Sequence, residues 1–338
     1  MLVTQPENRR YLAGFTGSAG VLLVSADQQA IATDFRYYEQ AGVECPDWEL
    51  FKVGYDFEGQ LSNLLRHLGL EGRAVGFEAA YVSVDQFHRW QSSLAGLAPL
   101  TPTTGLVEAL RQSKQPDELD AIRRAGALAD QALEHIYRWL KPGVTERQAA
   151  WELESFMQSR GSAAAFDIIV ASGPNAALPH AHPTQRAIQA GEPVILDLGC
   201  VVDGYCSDVT RTVCLGRPQD DRYLPLWQLV LGAQQAAETG LRAGLTGAEG
   251  DQLAREVIAA AGYGDAFGHG LGHGVGLAVH EEPRLSRSYP HPLPAGSVVT
   301  VEPGVYLPGW GGVRIEDMLL VHDGGAEVLT QAAKVPVL

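Results

Sequence analysis

Gly191-Glu-Pro-Val-Ile-Leu-Asp197 and, 105 residues further on, Gly296-Ser-Val-Val-Thr-Val-Glu302 share one design. Each has a glycine, then a β-branched run of the kind that forms strands, then a carboxylate six residues after the glycine. An earlier pair of segments repeats as well. Leu140-Lys-Pro-Gly-Val-Thr145-Glu-Arg-Gln148 matches Leu241-Arg-Ala-Gly-Leu-Thr246-Gly-Ala-Glu249 at an offset of 101 residues. In both, a threonine with Gln or Glu three residues later has the spacing of a helix capping box. The paired offsets predict a unit of two helices and a hairpin used twice, giving a pseudo-twofold α+β domain whose strands meet in the middle.

The hairpins place acids together. Val194 to Val202 and Tyr205 to Leu215 flank Asp203-Gly204, a strong two-residue turn signal. That register sets Gly199 opposite Asp208, so Asp197 and Asp208 become diagonal neighbours on one face, roughly 7 Å apart. In the second copy Pro308-Gly309-Trp310 serves as a three-residue loop, which sets Leu307 against Gly311 and Glu302 across from Glu316. Four carboxylates at a domain centre are prohibitive without compensation. Two divalent cations would supply it, and oxygen-rich ligation suits Mn, Mg, Co or Zn.

Histidine enters from Gly268-His269-Gly-Leu-Gly-His273-Gly-Val-Gly-Leu-Ala-Val-His280-Glu281. Glycine at every second position argues against a helix and for extended chain with one bare face, which another backbone or a ligand can approach closely. The alternate positions then aim His269 and His273 at a common region.

Composition bounds the rest. The 338 residues are 46% hydrophobic and 19% charged, enough for two domains with full cores. A formal charge of −15 without a run of Lys or Arg argues against nucleic acid or an anionic membrane as partner. Cys45, Cys200, Cys206 and Cys214 have no C-x-x-C spacing, so reduced thiols and a cytoplasmic setting are expected. Neither a signal peptide nor a long apolar span is expected. The pattern changes at Gln112-Ser-Lys-Gln-Pro116: before it, short apolar runs alternate with helix-like stretches such as Asp56 to Leu68, in the rhythm of a small α/β domain. After it, Leu119, Ile122, Ala129, Leu133, Ile136 and Leu140 follow a helical period that stops at Pro142-Gly143. The domains expected are therefore 1–112 and 113–338.

At the acid and histidine motifs the chain resembles the pita-bread metallopeptidases, which include methionine aminopeptidase, aminopeptidase P and prolidase. The matching pieces are Asp197-Leu-Gly with Gly204-Tyr-Cys-Ser-Asp208-Val-Thr-Arg-Thr, Gly272-His273-Gly-Val-Gly-Leu, His280-Glu281, Val301-Glu302-Pro-Gly-Val-Tyr306 and Gly312-Val-Arg-Ile-Glu316-Asp317. The resemblance implies two divalent ions per chain, with Mn2+ expected and Co2+ or Zn2+ fitting the same donors. It implies that Asp208 and Glu316 bridge them, that His273 and Glu302 complete one site, and that Asp197 completes the other. A water held between the ions would attack the peptide bond, with Glu302 as proton shuttle, His180 and His280 steadying the scissile bond, and His269 forming the proline pocket. His182, outside the motifs, reads as an ordinary loop histidine.

Asn8-Arg-Arg-Tyr-Leu-Ala-Gly-Phe-Thr-Gly-Ser-Ala-Gly20 and Thr33-Asp-Phe-Arg36-Tyr37 resemble the creatinase-type first domain carried by prolidases and aminopeptidases P, here opening almost on its first strand without the preceding helix. Ser172-Gly-Pro-Asn-Ala-Ala-Leu-Pro-His180 is likewise similar to proline-specific members. The expected activity is cleavage of Xaa-Pro dipeptides, with aminopeptidase P action on longer peptides as the alternative. A free substrate carboxylate would be captured by an arginine. Arg284, Arg314 and Arg36 are the candidates, and Tyr306 belongs to the same substrate-binding set. A homodimer is expected from the resemblance. A metal-free binding module is the rival of another class, opposed by the intact ligand set.

Overall fold

The structure is a computed structural model and describes residues 1–54 and 57–338. It comprises two compact units, Met1–Arg111 and Gln112–Leu338. The first is a six-stranded mixed sheet in the order Glu49–Lys52, Gln29–Thr33, Val21–Val24, Leu2–Val3, Val75–Glu78, Leu100–Thr103. Of the helix expected from Asp56 to Leu68, Phe57–His67 is observed, while Asp56 lies outside the described residues. Its Leu61, Leu64 and Leu65 recur at helical spacing and are fully buried with Trp90, which closes the sheet's core.

The second unit opens on helix Pro116–Trp139, with proline in the first turn and a Gln115/Glu118 capping box. Ile122, Ala129, Leu133 and Ile136 form its buried stripe. Helix Glu146–Gln158 follows, capped by the expected Thr145/Gln148 box, and helix Gly247–Ala260 carries the matching Thr246/Glu249 box after helix Tyr223–Gly240. The duplication extends to details. Gly143 and Gly244 both have positive φ, of 94° and 85°, and their N–H groups donate to Ile188 and Leu293 at 2.8 and 3.0 Å. Gly191 and Gly296, at φ 82° and 85°, start the corresponding central strands.

Strands Ile169–Ser172, Pro193–Leu198 and Val209–Cys214 form one antiparallel sheet, with Thr210 opposite Asp197 and Val209 opposite Leu198. At the tip Asp203 and Gly204 take φ of 48° and 79°, both positive as a type I′ turn requires. In the second copy Val298–Val301 pairs with Asp317–His322, and Leu307 faces Gly311 across the three-residue loop. The two copies join directly. Glu316 N–H donates to Thr210 at 3.0 Å, and Arg314 N–H donates to Thr212 Oγ1 at 3.0 Å. The two largest apolar clusters of this unit lie mainly one in each copy, and the seam between the copies carries smaller apolar clusters beside its polar contacts. All four cysteines are buried and free.

Candidate metal centre

Along that seam the ladders break where the acids stand. Asp208 follows the end of Tyr205–Cys206, Glu302 follows Val298–Val301, and Glu316 precedes Asp317–His322. Freed from regular pairing, these side chains turn into a cavity of about 520 Å³ within the second unit. The five expected ligands all line it: Asp197, Asp208, His273, Glu302 and Glu316. Ligand atoms of Asp208, His273 and Glu316 lie within 4.8 Å of one another. His273 Nε2 stands 3.6 Å from Asp208 Oδ2 and 3.5 Å from Glu302 Oε1.

Backbone and hydroxyl groups set these donors in place. His273 Nδ1 lies 3.1 Å from the Gly274 carbonyl, an arrangement that puts the proton on Nδ1 and leaves Nε2 facing the carboxylates as an acceptor. Thr210 Oγ1 donates to Glu316 Oε2 at 2.6 Å, and Thr300 Oγ1 lies 3.3 Å from Glu302 Oε1. Neither threonine was singled out from sequence. The signal was available, since each stands two residues from a ligand and so on the same strand face. The alternating glycines admit neighbouring strands: a Cβ on Gly272 would sit 2.0 Å from the Thr300 carbonyl, and one on Gly274 2.3 Å from that of Glu282.

Electrostatics test whether these residues fit divalent ions. Burial, reinforced by the other carboxylates, holds Asp208 and Glu316 well above the usual carboxylate range. Burial also pushes Glu302 up to about 8, with Arg314 opposing the shift and Asp197 adding to it. His273 is driven down to about 3, chiefly by burial and then by His280, so its imidazole is neutral, as a metal ligand must be. Buried Asp197 Oδ1 has no hydrogen-bond donor. An orphaned anionic oxygen beside mutually repelling carboxylates is the donor set of a cation site. The charge count gains a term unforeseen in the sequence, because Arg314 adds a fixed positive charge beside the four acids.

Arg314, one of the candidates for capturing a substrate carboxylate, is already engaged by the protein. It is buried and donates to Tyr306 Oη at 2.8 Å, to Asp197 Oδ2 at 2.5 Å and to the Pro179 carbonyl at 3.2 Å. Burial alone would lower its pKa, but Tyr306, Asp197 and Glu302 outweigh that and raise it. Tyr306 is buried behind the cavity, its hydroxyl 3.0 Å from His269 Nε2, so it supports two lining residues. Arg284 does line the cavity, and its nearest acid is Glu282 at 3.9 Å. Arg36 belongs to the first unit, where Asp34 grips its guanidinium at 2.7 and 2.8 Å. His180, His269 and His280 line the cavity, the His280 ring centroid 4.2 Å from that of His273. His182, expected to be an ordinary loop histidine, lines it too: its loop carries His180 and His182 to the same wall.

Comparison with known proteins agrees with this layout. Residues 120–323 match metallopeptidase family M24, and residues 1–113 match the creatinase/prolidase N-terminal domain. The uncharacterized peptidase YqhT of Bacillus subtilis is 41% identical over 335 residues, covering 99% of this chain and 94% of the relative. A structure of Xaa-Pro dipeptidase from Bacillus anthracis superposes with a TM-score of 0.96 at 41% identity, covering 100% of this chain and 94% of that one. X-Pro aminopeptidase from Thermotoga maritima MSB8 gives a TM-score of 0.92 at 35% identity, with 100% and 97% covered.

Proposed function

The chain belongs to metallopeptidase family M24, and we propose that within it the protein is a dinuclear Xaa-Pro dipeptidase. The observation that carries the reading is the convergence of five ligand-type side chains, with His180, His269, His280 and Arg284, on one cavity. When bound, the two divalent ions supply a nucleophile by acidifying water and polarise the scissile carbonyl. Mn2+ is the expected pair, with Co2+ or Zn2+ suiting the same donors.

The protein's own residues do the rest. Glu302 keeps 19% of its side chain accessible and is held loosely, by Thr300 Oγ1 at 3.3 Å and His273 Nε2 at 3.5 Å, so it can take a proton and pass it to the departing proline nitrogen. His180 and His280 face the space where the carbonyl oxygen gathers charge and stabilise it by donation. His269, driven down to about 4 mainly by burial, presents a neutral ring to the proline. Arg284, 40% accessible and loosely held, receives the substrate carboxylate, whereas Arg314 is consumed by its buried partners.

Aminopeptidase P activity is the second reading, favoured by the similarity to the Thermotoga maritima X-Pro aminopeptidase. Rates measured side by side on an Xaa-Pro dipeptide and on the same peptide extended by two residues decide between them. Faster cleavage of the dipeptide is expected, and equal or faster cleavage of the longer peptide assigns the aminopeptidase instead. A metal-free binding module is opposed by the complete ligand set, and metal analysis with reconstitution tests it. The proposal includes a homodimer, to be checked by sedimentation, and a cytosolic setting, which the free, buried thiols suit. Among the described residues no helix is long and apolar enough to cross a membrane.

A further inference from the structure

Outside the metal-ligand set, one buried carboxylate does more hydrogen-bond work than any ligand. Glu146, the first residue of helix Glu146–Gln158, is completely buried. Its Oε1 accepts from Ser172 N–H at 2.8 Å, Ser172 Oγ at 2.8 Å and Asn175 Nδ2 at 3.1 Å. Its Oε2 accepts from Thr184 N–H at 3.0 Å, Thr184 Oγ1 at 2.6 Å and again Asn175 Nδ2 at 3.1 Å. Ser172 and Thr184 are the two ends of the loop that carries Pro179, His180 and His182 to the cavity. The helix N-terminus adds a favourable field for the negative charge. One side chain therefore clasps both roots of a loop whose outer residues, Leu178, His180 and His182, are exposed, while between the roots Ala176 and Ala181 are buried and the Pro179 carbonyl accepts from Arg314.

The duplicated half argues that this is a built device. The equivalent of Glu146 there is Gly247, on which a Cβ would lie 1.9 Å from the Arg284 carbonyl. In that half the strand bearing Arg284 presses directly on the helix N-terminus, so a bare residue suffices. In the first half the span is a loop, and a carboxylate with six acceptor contacts replaces the direct touch.

We infer that Glu146 is a positioning residue for catalysis: it holds loop Ser172–Thr184 so that His180 meets the substrate. This rests on the role proposed for His180. In Glu146→Gln an amide NH2 necessarily replaces one oxygen and faces N–H and O–H donors whichever way it is turned. A hydrogen-bonding conflict at a loop root misplaces the residue it carries, and a displacement near 1 Å lowers turnover on the order of a hundredfold.

The test uses the metal-loaded full chain, with Glu146→Gln, His180→Ala and their double variant assayed on an Ala-Pro dipeptide. A loss of roughly a hundredfold in kcat, KM moving less, that disappears in the His180→Ala background is expected, because residues acting as one unit are non-additive. Hydrogen exchange without substrate supplies a readout free of activity, and the amides of 173–184 should exchange faster in Glu146→Gln while other regions keep wild-type rates. Thr184→Val, which removes one donor, should show the same pattern more weakly and serves if Glu146→Gln does not fold. Additive losses, or unchanged exchange in the loop, overturn the inference. Should the wild-type chain not cleave Xaa-Pro at all, the proposed function fails by itself, and the exchange result alone then decides the clasp.

Discussion

Removing the divalent ions is expected to make the second unit lose stability as pH rises, through a window set by Glu302. In the fold without ions burial lifts this carboxyl from 4.5 to about 8. A carboxyl with a raised folded pKa loses its proton more readily when unfolded. Its contribution is therefore fully present below about 4.5 and is lost as pH climbs through about 8. That rise, from 4.5 to about 8 at ~1.4 kcal/mol per tenfold in the proton equilibrium, gives at most ~5 kcal/mol for this one group, an upper limit because side-chain movement and entering water relieve part of it. For a domain of this size ~2–4 °C accompanies each kcal/mol, so the melting temperature should fall by roughly 10–20 °C from acid to mildly alkaline pH. Asp208 and Glu316 shift in the same direction and deepen the fall. Reconstituted protein should show a much flatter profile, because the ions replace protons as the counter-charge. Calorimetric scans of chelated and Mn2+-loaded protein across this range provide the measurement. Parallel profiles would refute the reasoning, since they would mean that the acids do not repel one another in the folded state.

Three further outcomes are expected. In metal-loaded protein of wild-type metal content, Glu302→Gln should lower turnover on the order of a thousandfold; retained activity would remove Glu302 from proton transfer. Arg284→Ala should raise KM for an Xaa-Pro dipeptide roughly tenfold to a hundredfold with kcat little changed, and equal effects on a longer peptide would contradict capture of the free carboxylate. Gly199→Ala places a Cβ 2.0 Å from the Ser207 carbonyl oxygen and 2.8 Å from the Phe166 ring, so a loss of ~3 kcal/mol is expected from the shift in urea midpoint, and an unmoved midpoint would show that the hairpin yields there.

What could be read from sequence followed from local rules. The capping boxes at Thr145 and Thr246, the Asp203-Gly204 turn and the three-residue loop at Pro308 to Trp310 each fix geometry within a few residues, and hairpin register then carries the acids with it. That the loop histidine His182 also borders the cavity could not be read from sequence, because an irregular loop has no period; its position depends on ends tied to Glu146, far away in sequence. The engagement of Arg314 was hidden for a similar reason. Its partners are Asp197 from the other half and the Pro179 carbonyl from the His180 loop, contacts that no spacing within its own strand reveals. The glycines at 272 and 274 announced a close approach, but only the assembled sheet identifies Thr300 and Glu282 as what approaches.

Duplication explains why two acids occupy equivalent places, and the chemistry depends on how the copies differ. Asp197 and Glu302 end matched strand runs, yet Asp197 is gripped by the Arg314 guanidinium while Glu302 meets only longer contacts, the Thr300 hydroxyl at 3.3 Å and His273 Nε2 at 3.5 Å, and is the more accessible of the two. A carboxylate locked to a guanidinium serves as an anchor, because giving it a proton would break its strongest hydrogen bond. One with weak partners and a more open side can accept and release a proton with little rearrangement. The same divergence recurs one shell outward, where Glu146 clasps a loop in one copy and Gly247 admits a strand in the other.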